Sequence, residues 1–350
     1  MDISLGLGTF GDVTRGPNGQ LLSDAQVIRN VMAEGILADE IGLDSFGIGE
    51  YHRADFAVST PETILAALAG RTSRVILHSA VTVLSSDDPV RVFQRFSTLN
   101  ALSNGRAEAI LGRGSFTESF PLFGQDLSDY DVLFEEKLDL FTHLLRDKRV
   151  TWSGTTRAAL KNQGVWPQLE TPLSTWIGVG GSPESVIRAV RHDLPMMLAI
   201  IGGDPRRFRP FVDLYHRAFT QIGQPPKPLG VHSHGFIAGT DREAADLLWP
   251  HYAEVMARIG RERGWSPMKR EAFDAEIAGG SLYVGSPETV ARRIVATVRA
   301  LGLARFDIKY SHGTLPHEDL MSSIRLYGEQ VVPMVREMLA KDAVPLGAAS

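Results

Sequence analysis

Eight short apolar segments alternate along the chain with segments of helical periodicity, and this alternation constrains the fold more than any other feature. The apolar segments cover residues 3–7, 45–49, 75–84, 107–112, 175–179, 196–200, 230–238 and 305–311. The helical patterns cover residues 24–41, 61–73, 90–102, 132–146, 183–192, 205–222, 242–260, 287–301 and 317–340. Near-continuous apolar runs are typical of parallel strands that are covered on both faces. Repeated strand–helix units therefore predict an α/β fold, a closed (β/α)8 TIM barrel.

An open, doubly wound sheet is the alternative arrangement for the same elements. Residues 6–11 read Gly-Leu-Gly-Thr-Phe-Gly, which matches the spacing of a dinucleotide-binding fingerprint. Pro17 and Gly19 follow where the helix of that fingerprint should begin. The match is therefore weak, and the barrel is favoured.

We expect a single barrel domain over residues 1–345 and a short C-terminal tail over residues 346–350. Two stretches are predicted to be loop insertions. Residues 148–174 contain a Val-Thr-Trp segment and are predicted to form a small hairpin, whereas residues 261–284 are polar and contain glycine. Loops of this length are usually functional or disordered, and we expect the second one to be a lid.

Composition excludes several classes of protein. The 350-residue chain has no cysteine, which excludes disulfides and thiolate metal sites. Its formal net charge is −5 and it has no basic run, which argues against nucleic-acid binding. The N-terminus lacks the features of a signal peptide, and no run approaches the roughly 20 apolar residues that span a bilayer. We therefore expect a cytoplasmic protein without a membrane partner.

Residues 180–185, Gly-Gly-Ser-Pro-Glu-Ser, follow a predicted strand and begin a predicted helix. Paired glycines let the backbone approach an anion, and Ser182 and Ser185 can donate hydroxyl groups beside the helix N-terminus. Ser-Pro-Glu recurs at residues 286–288, and residues 60–62 read Thr-Pro-Glu. Because the tripeptide is also an ordinary helix start, the residues alone leave both a phosphate site and a simple cap open.

Polar side chains follow the second predicted strand. Glu50, Tyr51 and His52 are the candidate catalytic residues, because a histidine can transfer protons near neutral pH. The alternative is that Glu50 and His52 only pair with each other. His232 and His234 lie two residues apart on one face of a strand. For these two, and for His312 and His317, a structural role is expected, and no third metal ligand has matching spacing.

Several ordered segments resemble the bacterial-luciferase-like flavin monooxygenases. They are residues 46–52 (Phe-Gly-Ile-Gly-Glu-Tyr-His), the block 74–114, residues 176–185 (Trp-Ile-Gly-Val-Gly-Gly-Ser-Pro-Glu-Ser), and the closing pieces 284–288 and 315–318. The resemblance covers nearly the whole chain. It is fairly specific for the family as an ordered set and much less so for any substrate.

The resemblance implies a site for flavin mononucleotide (FMN). It places Gly180, Gly181, Ser182 and Ser185 at the flavin phosphate, together with Arg113 from the end of the fourth strand. From the residues alone, Arg113 could equally pair with a surface carboxylate. The resemblance also implies a non-proline cis peptide between Ala80 and Val81 that supports the flavin ring.

The implied activity is a monooxygenase that uses reduced FMN and O2 on a small organic substrate. The reduced flavin would come from a separate flavin reductase. Members of the family commonly form dimers, so the resemblance also implies a homodimer through helices 24–41, 61–73 and 90–102. One departure matters: luciferase has two adjacent histidines after the glutamate, and Tyr51 replaces the first of them here. Aldehyde oxidation with light emission is therefore in doubt.

Three other functions fit the same pattern. A deazaflavin-dependent reductase or dehydrogenase of the same superfamily would use the same barrel. A flavin-binding protein without turnover would retain flavin and form no product. A metal-dependent barrel hydrolase would be sensitive to chelators.

Overall fold

The computed structural model of the chain describes residues 3–342. The predicted domain boundary at residue 345 and the predicted tail at residues 346–350 lie outside the described residues. The strands are β1 Ser4–Thr9, β2 Ser45–Ile48, β3 Ile76–Ser79, β4 Thr82–Val83, β5 Ala107–Gly112, β6 Arg149–Trp152, β7 Leu160–Gly164, β8 Ser174–Val179, β9 Met196–Ala199, β10 Leu229–Ile237, β11 Tyr283–Gly285 and β12 Arg305–Lys309.

Eight of these strands close into a parallel barrel. The order is β1, β2, β3, β5, β8, β9, β10 and β12, and β12 pairs back with β1 through Ser4 and Arg305. The predicted (β/α)8 barrel is confirmed, and the open doubly wound sheet is wrong. Because parallel strands have their carboxyl ends at one rim, the loops after β1, β2, β5, β8 and β12 meet there.

The helices surround the barrel and begin largely at the expected residues. They are α1 Asp24–Glu40, α2 Pro61–Ala69, α3 Pro89–Leu102, α4 Ser119–Leu122, α5 Tyr130–Arg146, α6 Pro183–Arg191, α7 Arg209–Gln221, α8 Asp241–Arg263, α9 Arg270–Gly279, α10 Pro287–Leu301, α11 His317–Leu326 and α12 Val332–Asp342. Side-chain caps at Ser23, Asp88, Ser182, Thr240 and Ser286 accept backbone N–H groups of the first turns.

Several predicted elements are divided or extended in the structure. The predicted strand 75–84 is interrupted between β3 and β4, where the Ala80–Val81 peptide is cis. Residues 148–174 contain the antiparallel pair β6–β7. The segment 261–284 includes the end of α8, the whole of α9 and the start of β11. The predicted helix 317–340 is divided by a π-helical turn at Tyr327–Val331.

The barrel interior is charged in the half near the amino ends of the strands. Arg305 is buried and bonds both to Glu108, across the barrel, and to Asp307, at 2.8 Å. Trp176 Nε1 donates to Glu108 Oε2 at 2.7 Å. Since a buried charge is tolerated only when it is paired and hydrogen-bonded, this network ties β12 to β5 across the barrel, and a second buried pair, Lys309 with Asp12 at 2.9 Å, lies at the carboxyl end of β12.

None of the helices within residues 3–342 has an apolar stretch long enough to cross a membrane.

Candidate functional site

The three residues predicted to be catalytic lie together at the carboxyl rim, after β2. Glu50 is 6% exposed, and its Oε1 accepts the backbone N–H of Val83 at 3.1 Å. His52 Nε2 lies 4.0 Å from Glu50 Oε1, which is too far for a hydrogen bond. This His52 atom is buried and has no partner among the described residues. Glu50 therefore fixes the backbone of β4, while His52 keeps a free nitrogen at the rim.

Tyr51 lies within a cluster of aromatic rings. Its ring stacks on Phe10 at 4.6 Å between centroids and contacts Phe56 at 4.7 Å and Phe116 at 4.8 Å. The Tyr51 hydroxyl is 2.8 Å from Ser115 Oγ. Burial raises the pKa of Tyr51 to about 12. The phenol therefore stays neutral at physiological pH and can donate a hydrogen bond, but it cannot serve as a base.

The non-proline cis peptide expected at Ala80–Val81 is present. The Val81 side chain lies against two glycines on neighbouring strands. A Cβ at Gly112 would lie 2.6 Å from Val81, and a Cβ at Gly178 would lie 3.1 Å from it. Val81 also packs on an apolar group inside the barrel that includes Trp176. The glycines thus admit Val81 to a small apolar surface between the ends of β3, β5 and β8.

The two histidines of β10 are partly exposed as residues, but each has a buried ring nitrogen. Burial lowers the pKa of His232 to about 4 and the pKa of His234 well below its usual value. His232 Nε2 and His234 Nδ1 have no hydrogen-bond partner within residues 3–342. The His234 ring lies 5.1 Å from the ring of His312. His317 lies apart from them and bonds to Glu34 at 2.9 Å.

Burial also lowers the pKa of His312 well below its usual value, so His232, His234 and His312 are neutral at pH 7. In the part of the chain that the structure describes, no group of three or more histidine, aspartate or glutamate residues could hold a metal ion.

The predicted phosphate residues form the start of α6. Gly181 has φ +101°, which favours glycine, and a Cβ on the preceding Gly180 would meet no atom within 4 Å. The Ser185 backbone N–H donates to Ser182 Oγ at 3.3 Å, and the two hydroxyl oxygens are 2.9 Å apart. No carboxylate of the described residues is hydrogen-bonded to either serine. This helix start therefore faces open space with polar hydrogens available.

Arg113 lies at the end of β5, which pairs with β8, the strand that leads into Gly180. Its Nη1 donates to Asp131 Oδ1 at 2.9 Å, and its guanidinium lies 5.0 Å from the centre of the Tyr130 ring. The alternative partner, a surface carboxylate, is thus present. The Asp131 side chain is 80% exposed, and exposed pairs contribute only about 0–1 kcal/mol, so this contact is easily exchanged for another anion.

The start of α10 repeats the local sequence of α6 and binds a carboxylate. Residues 286–292 read Ser-Pro-Glu-Thr-Val-Ala-Arg, and residues 182–188 read Ser-Pro-Glu-Ser-Val-Ile-Arg. At α10, the Ser286 N–H donates to Asp241 Oδ1 at 2.7 Å and the Thr289 hydroxyl donates to Asp241 Oδ2 at 3.0 Å. These bonds lower the pKa of Asp241. The same motif in this molecule thus holds an anion.

The sequence did not reveal an ion-pair cluster across the rim, which we call the rim cluster: Arg53, Asp55, Glu118, Arg258 and Glu262. Arg53 bonds to Asp55, to Glu118 and, at 2.6 Å, to Glu262, while Arg258 bonds to Asp55 at 2.7 Å. It joins the loops after β2 and β5 to the end of α8. The predicted lid at residues 261–284 therefore reaches the rim mainly through its first residues, and α9 packs on α8 instead.

The residues present fit a flavin phosphate at one end and a flavin ring at the other. The start of α6 offers hydroxyl groups and backbone N–H groups to an anion. The Val81 surface offers an apolar seat, and His52, His232 and Thr82 each have a buried polar atom without a hydrogen-bond partner within residues 3–342. A buried polar atom without a partner is unfavourable, so such atoms at strand ends indicate a ligand site.

Known proteins share this sequence pattern and fold. Residues 9–305 match the family described as luciferase-like monooxygenase. The chain is 32% identical over 343 residues to "Uncharacterized protein y4vJ" of Sinorhizobium fredii, covering 91% of this chain and 95% of that protein. It is 22% identical over 353 residues to the alkanal monooxygenase alpha chain of Photorhabdus luminescens, covering 90% of this chain and 93% of that one.

Two solved structures show the same fold. The monooxygenase RslO1 from Streptomyces bottropensis has a TM-score of 0.81 at 22% identity, covering 95% of this chain and 99% of that chain. The oxygenating constituent of 3,6-diketocamphane monooxygenase from Pseudomonas putida, solved in complex with FMN, has a TM-score of 0.77 at 18% identity, covering 95% and 98%.

Proposed function

The chain belongs to the luciferase-like monooxygenase family, and from this premise we propose that it is an FMN-dependent monooxygenase that uses reduced flavin and O2 to oxidise a small organic substrate. Membership in the family supports the flavin chemistry. The choice of FMN rests on the start of α6, and the substrate class rests on the rim residues.

One observation carries the proposal: α10 holds the Asp241 carboxylate with the motif that α6 presents to open space. Because Thr289 occupies the place in α10 that Ser185 occupies in α6, a phosphate at α6 would accept the equivalent hydrogen bonds. Gly181, Ser182 and Ser185 would hold it, with Gly180 giving room and Arg113 exchanging Asp131 for the phosphate. A dianion gains more from these contacts than a carboxylate does.

At the other end of the proposed site, Ala80 and Val81 would seat the flavin ring. Bound reduced flavin would supply the electrons and the site of reaction with O2. Tyr51, neutral at pH 7, would donate a hydrogen bond to an oxygen atom of the substrate or oxidant, and the rings around it would exclude water. His52 Nε2 would hold the proton that the reaction moves. Glu50 acts indirectly by fixing β4.

The cluster of Phe10, Phe56 and Phe116 around Tyr51 favours a largely apolar substrate with one hydrogen-bond acceptor. Such a substrate would stack on the rings and accept the Tyr51 hydrogen bond. We also propose a separate flavin reductase as the source of reduced FMN, and a homodimer through α1, α2 and α3.

Titration of the purified protein with photoreduced FMN, riboflavin and a deazaflavin cofactor, without oxygen, tests the cofactor. We expect FMN to bind most tightly, and O2 admitted afterwards to be consumed. Preference for the deazaflavin would indicate a reductase or dehydrogenase. Tight FMN binding with no oxidised product from a panel of apolar aldehydes, ketones and thioethers would indicate a flavin carrier. A hydrolytic activity that needs no flavin and is abolished by a chelator would indicate a metal-dependent hydrolase.

A further inference from the structure

Arg188 is a buried arginine directly behind the start of α6. It lies one turn after Ser185 and is 5% exposed. Its Nη1 donates to Ser185 Oγ at 3.2 Å, and its Nε donates to Glu135 Oε1 on α5 at 2.6 Å. Its guanidinium also lies 5.2 Å from the centre of the Phe134 ring. Packing and two hydrogen bonds thus fix its position.

The hydroxyl hydrogens at this helix start can be counted. A guanidinium has only donors, so Ser185 Oγ must accept from Arg188. Ser182 Oγ accepts the Ser185 backbone N–H, and one of the two hydroxyls donates to the other. Ser182 Oγ is the donor to Ser185 Oγ, so Ser185 Oγ accepts from both Ser182 and Arg188 and its own hydrogen has no acceptor in the pair. With Arg188 and Ser182 both donating to it, Ser185 Oγ can interact with a further group only as a donor.

The two arginines near the proposed site differ in the exposure of their side chains. Arg113 is 29% exposed in its side chain and pairs with an exposed aspartate, whereas the Arg188 side chain is 6% exposed. Burial raises the pKa of Tyr130, and the charges of both Arg113 and Arg188 oppose this rise. Both guanidiniums therefore lie close enough to Tyr130 to act on the same side chain. A buried charge is screened less by salt and water than an exposed one.

The equivalent arginine of α10 is not used in this way. Arg292 is exposed and pairs with Glu288 at 3.0 Å on the helix surface. There the Thr289 hydroxyl already donates to Asp241. The chain therefore contains two copies of one motif, and only the copy without an internal carboxylate has its arginine buried behind the hydroxyl group.

We propose that Arg188 is a positioning residue for a phosphate at α6: by donating to Ser185 Oγ it directs a hydroxyl hydrogen outward, and so makes the site prefer a phosphorylated flavin over riboflavin. This inference rests on the proposed function. FMN and riboflavin share the same ring, so their difference in affinity isolates the phosphate site.

The test compares Arg188→Met with the matched variant Arg292→Met by anaerobic calorimetry, using photoreduced FMN and riboflavin. A hydrogen bond to a charged group accounts for about a 10-fold change in affinity or more. We expect Arg188→Met to weaken FMN by at least about 10-fold while riboflavin stays within about twofold. Arg292→Met should change neither, and Arg188→Lys should recover part of the FMN preference.

The pathway through Ser185 is tested separately. Ser185→Ala, which leaves the Arg188–Glu135 pair intact, should also reduce the preference for FMN. In the Ser185→Ala background, Arg188→Met should reduce FMN affinity less than it does in the wild-type protein. If Arg188→Met does not fold, Arg188→Leu, which also removes the donor, replaces it, and an unchanged FMN preference in that variant or in Ser185→Ala would overturn the inference. So would equal losses for FMN and riboflavin in Arg188→Met. A wild-type protein without any preference for FMN would reject the proposed function as well.

Discussion

The contact between Arg113 and Asp131 leads to a prediction in which two neighbouring substitutions act in opposite directions. If Arg113 exchanges Asp131 for a phosphate, Asp131 competes with the ligand. Arg113→Met should then weaken FMN binding, because it removes a charge-assisted hydrogen bond. Asp131→Asn should strengthen FMN binding, because it removes both the competitor and a like charge near the dianion.

The magnitudes follow from exposure. The Asp131 side chain is 80% exposed, so its pair with Arg113 contributes at most about 1 kcal/mol. Asp131→Asn should therefore improve FMN affinity by up to about fivefold, and either variant should change the free energy of unfolding by less than about 1 kcal/mol. A hydrogen bond to a charged group contributes about 1.5–3 kcal/mol, so Arg113→Met should weaken FMN by about 10- to 100-fold.

The assay is quenching of flavin fluorescence by protein, with FMN and riboflavin compared at low salt and at about 1 M salt, where screening shortens to about 3 Å. Riboflavin binding should not respond to either variant, and the gain from Asp131→Asn should vanish at high salt. Asp147→Asn, a similar loss of charge just beyond the other end of α5, is the control. If Asp131→Asn weakens FMN binding, or Arg113→Met leaves it unchanged, the phosphate does not lie here.

Three further outcomes are expected. Gly112→Ala should place a Cβ 2.6 Å from Val81, destabilise the fold by about 1–3 kcal/mol and weaken flavin binding. Gly202→Ala, which has open space around it, should change neither stability nor flavin binding. Chemical unfolding measures the stability of both variants. Burial lowers the pKa of His232 to about 4, so the unfolded chain binds this proton before the folded chain does as the pH falls below about 6.5. The free energy of unfolding should therefore fall by about 3 kcal/mol by pH 4. In His232→Gln, the free energy of unfolding measured between about pH 6.5 and pH 4 should depend less on pH. Arg53→Met, which removes three ion pairs of the rim cluster, should increase the share of consumed O2 released as hydrogen peroxide, and unchanged coupling in an oxygen-electrode assay would argue against a role in closure.

Sequence periodicity predicted the barrel because each of its strands is an apolar run bounded by polar or glycine residues. It could not predict which interior positions carry charge. Arg305 and Glu108 are 197 residues apart and meet only across the closed barrel. The predicted strand at residues 75–84 contained no sign of its interruption, and the cis peptide was located by resemblance to the family. Helix α9 was missed, because its apolar face is short; one residue of the helix, Phe273, is buried, and it packs on α8.

The candidate site was predictable to the extent that it is local. Gly180 to Ser185 are contiguous, so their helix start was visible, although its distinction from an ordinary cap was not. Arg188 fits the polar pattern of an amphipathic helix, and only the fold shows that α5 buries it beside Glu135. The alternative in which Glu50 and His52 only pair with each other is met in part: the two side chains are 4.0 Å apart, and Glu50 also accepts a backbone N–H from β4, 33 residues away.

The two Ser-Pro-Glu helix starts explain how one local sequence can serve two purposes. Both begin with a glycine at positive φ and a serine that accepts the N–H three residues later, at 3.3 Å in α6 and 3.4 Å in α10. At α10 the chain supplies its own anion, because Asp241 begins α8 and its carboxylate lies beside Gly285. A helix start that already holds a carboxylate has little electrostatic attraction left for a ligand. At α6 no internal acid fills that position within the described chain, and the buried Arg188 donates to Ser185 Oγ instead. The proposed phosphate site is therefore the copy of the motif that the fold leaves without its own carboxylate.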